Sequence, residues 1–262
     1  MTRYVAKEDG VFYGDGREEE CWEYVQNKPD IRGKPEAVLE AIDEYGRTKK
    51  YLMNIGFEKG KIVRDVIAEE KPVNMVELGG YCGYSAISFA AEMKKYSKDK
   101  KVHYYSLEKS AIFGRIIEAM AKLAGLDDIV KVIVGDSADS LRRLQTAFDV
   151  KKIDVLFLDH HKPLYAPDLR LCETLRLIAP GSVIVADNVI YPGNPPYLEY
   201  VRSSCEQKRQ RAAAPEDQGD EYADGRWDLV YESKLIESFE PTGEEDGVEI
   251  SRIIGYYQNK NS

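Results

Sequence analysis

Apolar positions along the chain fall into two alternating rhythms. Between residues 35 and 54, Val38, Leu39, Ile42, Tyr45 and Leu52 recur mostly at helical intervals, with Pro35 suited to a first helical turn. Residues 58–70 carry Ile62, Val63, Val66 and Ile67 on one helix face, and residues 74–78 form a short apolar run that reads as a buried strand. Helical spacing returns over 83–96. The next stretch, 102–107, is rich in β-branched and aromatic residues and reads as a strand. Residues 111–124 place Ile112, Ile116, Met120 and Leu123 on one face, with Gly125 placed to end the helix. Strands at 129–134, 153–158 and 182–186 alternate with a helix capped by Ser137 and another over 167–178 that stops at Pro180-Gly181. Residues 227–232 and 248–257 read as two further strands, close enough to pair as a hairpin on the sheet edge. Strands separated by helices in this way predict an α/β fold, a doubly wound parallel sheet with helices on both faces. The whole chain, 1–262, reads as one domain. Its polar insertion at about 203–226, which includes Lys208-Arg209-Gln210-Arg211 and then an acidic run, is expected to be a solvated surface loop.

Composition narrows the setting. The 262 residues include 37 basic and 46 acidic side chains, a net charge of −9, which argues against general attraction to nucleic acid or anionic lipid. No apolar run approaches the ~18–20 residues of a membrane span, and the polar N-terminus does not resemble a secretory signal. Four scattered cysteines, with no paired spacing, read as reduced thiols. A cytoplasmic protein, monomeric and without nucleic-acid or membrane partners, is expected.

In open α/β sheets ligands bind at the carboxyl ends of the strands. The first such end is the glycine-rich Glu77-Leu78-Gly79-Gly80-Tyr81-Cys82-Gly83-Tyr84-Ser85. It lacks the Gly-Lys-Ser/Thr ending of a phosphate loop and departs from GxGxxG, which argues against a nicotinamide oxidoreductase. Glu108 ends the second strand, where an acid accepts both hydroxyls of a ribose. Gly135-Asp136-Ser137 ends the third and is placed to read an adenine edge. Phe157-Leu158-Asp159-His160-His161-Lys162 and Val185-Ala186-Asp187-Asn188 end the next two. If those strands are neighbours, Asp159, Asp187 and Asn188 converge as hard oxygen donors suited to Mg²⁺; the bland alternative is that both aspartates cap helices. A zinc or iron site at His160-His161 is disfavoured, because adjacent residues rarely point at one metal. Lys162, beside a divalent cation, is the candidate general base.

These stretches, with Val38-Leu39-Glu40-Ala41-Ile42-Asp43, Met53-Asn54-Ile55-Gly56 and Asp246-Gly247-Val248-Glu249, resemble the Mg²⁺-dependent catechol O-methyltransferases, which use S-adenosylmethionine. The likeness runs from about residue 13 to 257, apart from the polar insertion. It implies a Rossmann-like methyltransferase sheet, mostly parallel with a C-terminal antiparallel hairpin. It also implies that Met53, Ile55, Glu77, Gly79, Tyr81 and Ser85 line the methionine part of the cofactor site. Glu108 would hold the ribose, Lys109, Ser137 and His160 would lie around the adenine, and Asp159 would border the cofactor as well as the metal. Asp159, Asp187 and Asn188 would bind Mg²⁺, and Lys162 would be the base. The family's C-terminal acid, which holds the second catechol hydroxyl, matches Glu237 best by its local sequence, so Glu237 is the expected residue, whereas counting back from Asp246-Gly247 would give Glu240.

Several positions depart from the family. Its aromatic gatekeepers, tryptophans in the best-known members, fall at Tyr51 and His161, while Pro192 keeps the third wall position; with Asn188 these form the expected substrate pocket. Lys109 replaces an apolar residue packed on adenine, and Ala138 replaces a polar neighbour. The insertion precedes the acid-bearing segment, a position suited to a lid. The expected reaction is methyl transfer to one hydroxyl of a Mg²⁺-chelated catechol. The alternatives are another vicinal-diol phenol or caffeoyl-coenzyme A-like ester and, less favoured, a non-catalytic nucleoside-binding protein.

Overall fold

A parallel sheet needs crossover connections, and the helical segments between the apolar runs provide them. The computed structural model describes residues 3–7, 13–97, 100–212 and 224–258. Its strands are β1 (Asn74–Leu78), β2 (His103–Glu108), β3 (Val130–Val134), β4 (Val155–Leu158), β5 (Val183–Ala186), β6 (Leu229–Phe239) and β7 (Glu245–Tyr256). They form one seven-stranded sheet in the order β3-β2-β1-β4-β5-β7-β6. β1 to β5 are parallel, and β7 runs antiparallel to both β5 and β6. The predicted fold class is therefore the observed one.

The helices α1 (Arg17–Gln26), α2 (Pro35–Thr48), α3 (Gly56–Glu70), α4 (Tyr84–Ser97) and α5 (Ala111–Ala124) contribute to one apolar core. The other face is covered by α6 (Ser137–Thr146), α7 (Tyr165–Thr174) and α8 (Pro195–Arg202). β4 is buried at every position because helices cover both faces, which is why its sequence is continuous Val-Leu-Phe-Leu rather than alternating. α5 begins where the Ser110 hydroxyl accepts from the Phe113 amide and ends at Gly125, whose φ of 72° suits glycine.

Four local expectations need correction. α1 was not anticipated: its REEECWEYVQ sequence is too polar to show an apolar stripe, although Cys21 and Val25 are buried. Asp136, not Ser137, is the residue preceding α6, and Ser137 is its first helical residue. The hairpin strands are longer than 227–232 and 248–257. The predicted insertion also begins with structure, since α9 (Cys205–Ala212) occupies its first half and buries Cys205 and Lys208. The stretch 213–223 lies outside the described residues. The chain after it enters β6 at Leu229, paired with Tyr256 beyond the amino-terminal end of β5, so this flank stands away from the strand ends where a lid would be needed.

Candidate functional site

Sheet register brings the expected residues together. Leu158 is opposite Ala186 in the parallel β4–β5 pair, so the residues that follow, Asp159 and Asp187, leave adjacent strands at the same level. The Asp159 amide donates to the Leu78 carbonyl at 3.0 Å, and the Asp187 amide to the Leu158 carbonyl at 3.0 Å, extending the ladder to the site. β1 and β4 flank the point at which strand order reverses, where α/β sheets open a crevice. Here that crevice is a cavity of about 710 Å³, within the range of small-molecule sites. Gly79 is required at its floor. Its φ is 92°, and a Cβ there would lie 2.5 Å from the Asp159 carbonyl oxygen.

Among the residues expected to meet a cofactor, Met53, Ile55, Gly79, Tyr81, Ser85, Glu108, Lys109, Ser137, Asp159 and His160 line the cavity. Glu108 accepts from the Gly80 and Tyr81 amides at 3.2 and 3.0 Å and from the Ser110 amide at 2.8 Å. Burial raises its pKa, against those amides. Lys109 forms an ion pair with Asp136 at 2.8 Å across the rim between β2 and β3. Tyr81 is fixed by donation to Glu18 on α1 at 2.8 Å and by edge-on contacts with Tyr13 and Phe113. Glu77 does not reach the cavity surface. It lies fully buried beneath, its Oε2 accepting from Ser106 at 2.7 Å and its Oε1 without a hydrogen-bond partner.

The other end of the cavity holds Asp159, His161, Lys162, Asp187, Asn188 and Pro192 beside Tyr51. The Lys162 ammonium donates to Tyr165 Oη at 2.7 Å, Asn188 Oδ1 at 2.8 Å and Asp159 Oδ1 at 3.3 Å. Burial pushes Asp159 up to about 7, with Lys162 opposing the shift and Asp187 adding to it. His160 packs flat on Tyr165, ring centroids 5.0 Å apart, and its Nε2 lies 2.8 Å from Asp168. Burial lowers the His160 pKa despite that partner, so the imidazole is neutral at physiological pH.

Glu237 is not brought to the site. It lies within β6, opposite Gly247, with its side chain exposed. The strand runs on to Phe239, and Glu240, at the following turn, lines the cavity instead. Burial pushes Glu240 up to about 8, with Lys59 opposing and Asp187 adding.

Lys59 is the residue the sequence reading missed. Fully buried, its ammonium contacts Asp187 Oδ2 at 2.9 Å, Glu240 Oε1 at 2.6 Å and Asp246 Oδ2 at 2.7 Å. Burial pulls the lysine pKa down, but the three carboxylates, Asp187 foremost, outweigh it and raise it above the usual range. Its position carried a signal. Lys59 shares the buried stripe of α3 with Gly56, Gly60, Val63, Val66 and Ile67, and a lysine on such a stripe requires anionic partners.

Two places for a cation follow. Asp187, Glu240 and Asp246 form a candidate acidic metal site, with ligand oxygens within 4.8 Å of one another. The Lys59 ammonium already touches all three. On the other side of Asp187, its Oδ1 is buried without a partner, and Asn188 Oδ1 and Asp159 Oδ1 face the Lys162 ammonium. A carboxylate oxygen left unpaired in a buried setting, beside two further oxygens facing a positive charge, fits a hard divalent ion.

Residues 76–189 match the Methyltransferase domain family. The chain is 38% identical over 194 residues to the catechol O-methyltransferase of Bos taurus, covering 74% of this chain and 69% of that protein. Against the Mus musculus catechol O-methyltransferase it is 40% identical over 196 residues, covering 74% and 71%. In solved structures, the O-methyltransferase from Bacillus cereus in complex with SAH shares the fold at TM-score 0.54 and 20% identity, covering 94% of each chain. The O-methyltransferase TomG from Streptomyces achromogenes, in complex with SAM, aligns at TM-score 0.56 and 20% identity over 96% of this chain and 92% of its own. Strand order, cavity and sequence similarity agree: the chain belongs to the catechol O-methyltransferase family of S-adenosylmethionine-dependent O-methyltransferases.

Proposed function

We propose that the chain methylates one hydroxyl of a catechol, with S-adenosylmethionine as donor and Mg²⁺ as the required ion. The observation that carries this reading is the set of oxygens at the ends of β4 and β5, the unpartnered Asp187 Oδ1 with Asp159 and Asn188 turned to Lys162. Asp159, Asp187 and Asn188 would hold the ion. When bound, S-adenosylmethionine supplies an electrophilic methyl group, and Mg²⁺ supplies charge that makes a catechol hydroxyl more acidic.

The chain's residues do the rest. Lys162, released from Asn188 and Asp159 and left as the neutral amine once its ammonium proton has passed to water, takes the phenolic proton on its Nζ. Tyr165 Oη, 2.7 Å away, keeps that nitrogen beside the site. Glu240 accepts a hydrogen bond from the second hydroxyl. Met53, Ile55, Gly79, Tyr81 and Ser85 seat the methionine part and Glu108 the ribose, while Lys109, Ser137 and His160 surround the adenine. Tyr51, His161 and Pro192 wall the acceptor, whose alignment with the methyl donor removes much of the entropic barrier. Glu240 and Glu244 line the same cavity as Lys7, and Lys109 is paired with Asp136, so the lining offers no concentrated basic patch among the described residues for the phosphates of a coenzyme A ester. The described cysteines are all free and buried, in keeping with a reducing compartment such as the cytoplasm, and no described helix is long and apolar enough to cross a membrane.

The test is incubation with S-adenosylmethionine and a simple catechol, with Mg²⁺ or EDTA, followed by mass, alongside Asp187→Ala and Lys162→Ala. Methylated product that requires metal and is lost in both variants supports the reading. Turnover indifferent to EDTA refutes the metal role, and cofactor binding without turnover across a phenol panel refutes the reaction.

A further inference from the structure

An asparagine ligates a cation only through its oxygen, yet its amide is nearly symmetric in shape, so something must decide which end faces the ion. At Asn188 the surroundings decide it. Its Nδ2 donates to Glu240 Oε1 at 2.5 Å and to Asp246 Oδ2 at 2.9 Å. Both amide protons are thereby taken by carboxylates, and Oδ1 is left facing Lys162 at 2.8 Å. Asp246 is itself fully determined. Its Oδ1 accepts from the Ile190 and Tyr191 amides at 3.2 and 2.9 Å, and its Oδ2 also accepts from the Lys59 ammonium at 2.7 Å. Asp246 is 1% exposed and Lys59 is completely buried, so water does not compete for these bonds.

We propose that Asp246, anchored by Lys59 and the 190–191 backbone, is a positioning residue that sets the polarity of the Asn188 amide and so presents its oxygen to the cation. This rests on the reading of Asp159, Asp187 and Asn188 as the cation ligands. The C-terminal hairpin then has a share in metal binding without supplying a ligand. Replacing Asp246 by asparagine keeps its shape. Its oxygen remains for the two backbone amides, but an NH₂ group then faces Asn188 Nδ2 and Lys59. Two donors cannot pair, so the Asn188 amide loses one of its two carboxylate acceptors, only Glu240 still holds its NH₂, and its oxygen is presented to the cation less firmly.

The exchange Asn188→Asp with Asp246→Asn, compared with Asn188→Asp alone to subtract the added ligand charge and its contact with Glu240, isolates this effect. It conserves charge, the new amide at 246 donates to the carboxylate at 188, and a carboxylate shows an oxygen whichever way it turns. Position 188 has φ 57°, a conformation that both asparagine and aspartate tolerate.

The experiment is Mn²⁺ titration followed by EPR, on wild type, D159N, D246N, N188D and N188D/D246N. Melting temperature and S-adenosylhomocysteine affinity are measured on each, because general damage would move them too. D246N is expected to bind Mn²⁺ tenfold or more weakly, with S-adenosylhomocysteine affinity within about twofold of wild type, and N188D/D246N to regain most of the loss. Unchanged Mn²⁺ affinity in D246N, with D159N weakened, overturns the proposal and leaves the ligand reading standing. An exchange variant as weak as D246N also overturns it. Unchanged affinity in D159N removes both. If D246N does not fold, the exchange variant decides alone: Mn²⁺ affinity within about threefold of wild type supports the proposal, and a larger loss overturns it.

Discussion

Replacing Glu77 by glutamine removes a buried charge while preserving shape, and its effect on stability has a defined dependence on pH. In the folded chain burial pushes this carboxyl up to about 7, although the Ser85 and Ser106 hydroxyls favour its ionised form. In the unfolded chain it titrates near 4.5. Between those values the unfolded chain has released the proton and the folded chain still holds it. Stability is therefore lost as pH rises from about 4.5 to about 7 and changes no further above. At 1.36 kcal/mol per pH unit the full loss is about 3 kcal/mol. For 262 residues, at about 2.1 cal/mol/K per residue, that corresponds to about 5 °C in Tm. Glutamine does not titrate, and any packing cost of its amide is the same at every pH. The Tm of Glu77→Gln minus that of wild type should therefore rise by up to about 5 °C between pH 4.5 and pH 8, in protein free of cofactor. Thermal melts across that range check it, and a difference that stays constant with pH refutes the reasoning.

Three further outcomes are expected. Glu240→Gln should lower kcat/KM for catechol by tenfold or more, whereas Glu237→Gln should leave it within twofold, as steady-state kinetics on both variants will show. Lys59→Met leaves three carboxylates facing one another without their cation and should destabilise the protein by about 3–5 kcal/mol, read from urea unfolding. Gly79→Ala places a methyl against the Asp159 carbonyl at a φ of 92°; a loss of about 1–3 kcal/mol is expected by the same assay, with weakened S-adenosylhomocysteine binding by calorimetry.

The sequence made the sheet legible because its parallel strands are buried on both faces and stand out as short apolar runs between helical stretches. The strand-end residues were legible for the same reason, since Asp159, Asp187 and Asn188 follow such runs directly. The hairpin was harder. β6 is an edge strand whose positions are mostly half-buried or exposed, so its end does not show, and the local sequence points to Glu237 where the strand carries that residue outward. Lys59 escaped because its three partners lie 128 to 187 residues away in the chain, a relation no local pattern records. α1 and α9 are so polar that only tertiary packing, such as Lys208 against the tyrosine rings of α8 and β6, reveals their buried sides.

The two chain segments that border residues 213–223 are tied to one buried carboxylate. On one side Lys208 Nζ lies 3.7 Å from the Tyr231 ring centre and 4.7 Å from that of Tyr200, whose hydroxyl donates to Glu173 at 2.6 Å. On the other, the Arg226 amide donates to the same Glu173 at 2.6 Å. Leu229 enters the sheet at the end remote from the cavity. A fluorophore or affinity handle attached beside Arg226 would therefore sit at the end of the strands opposite the chemistry.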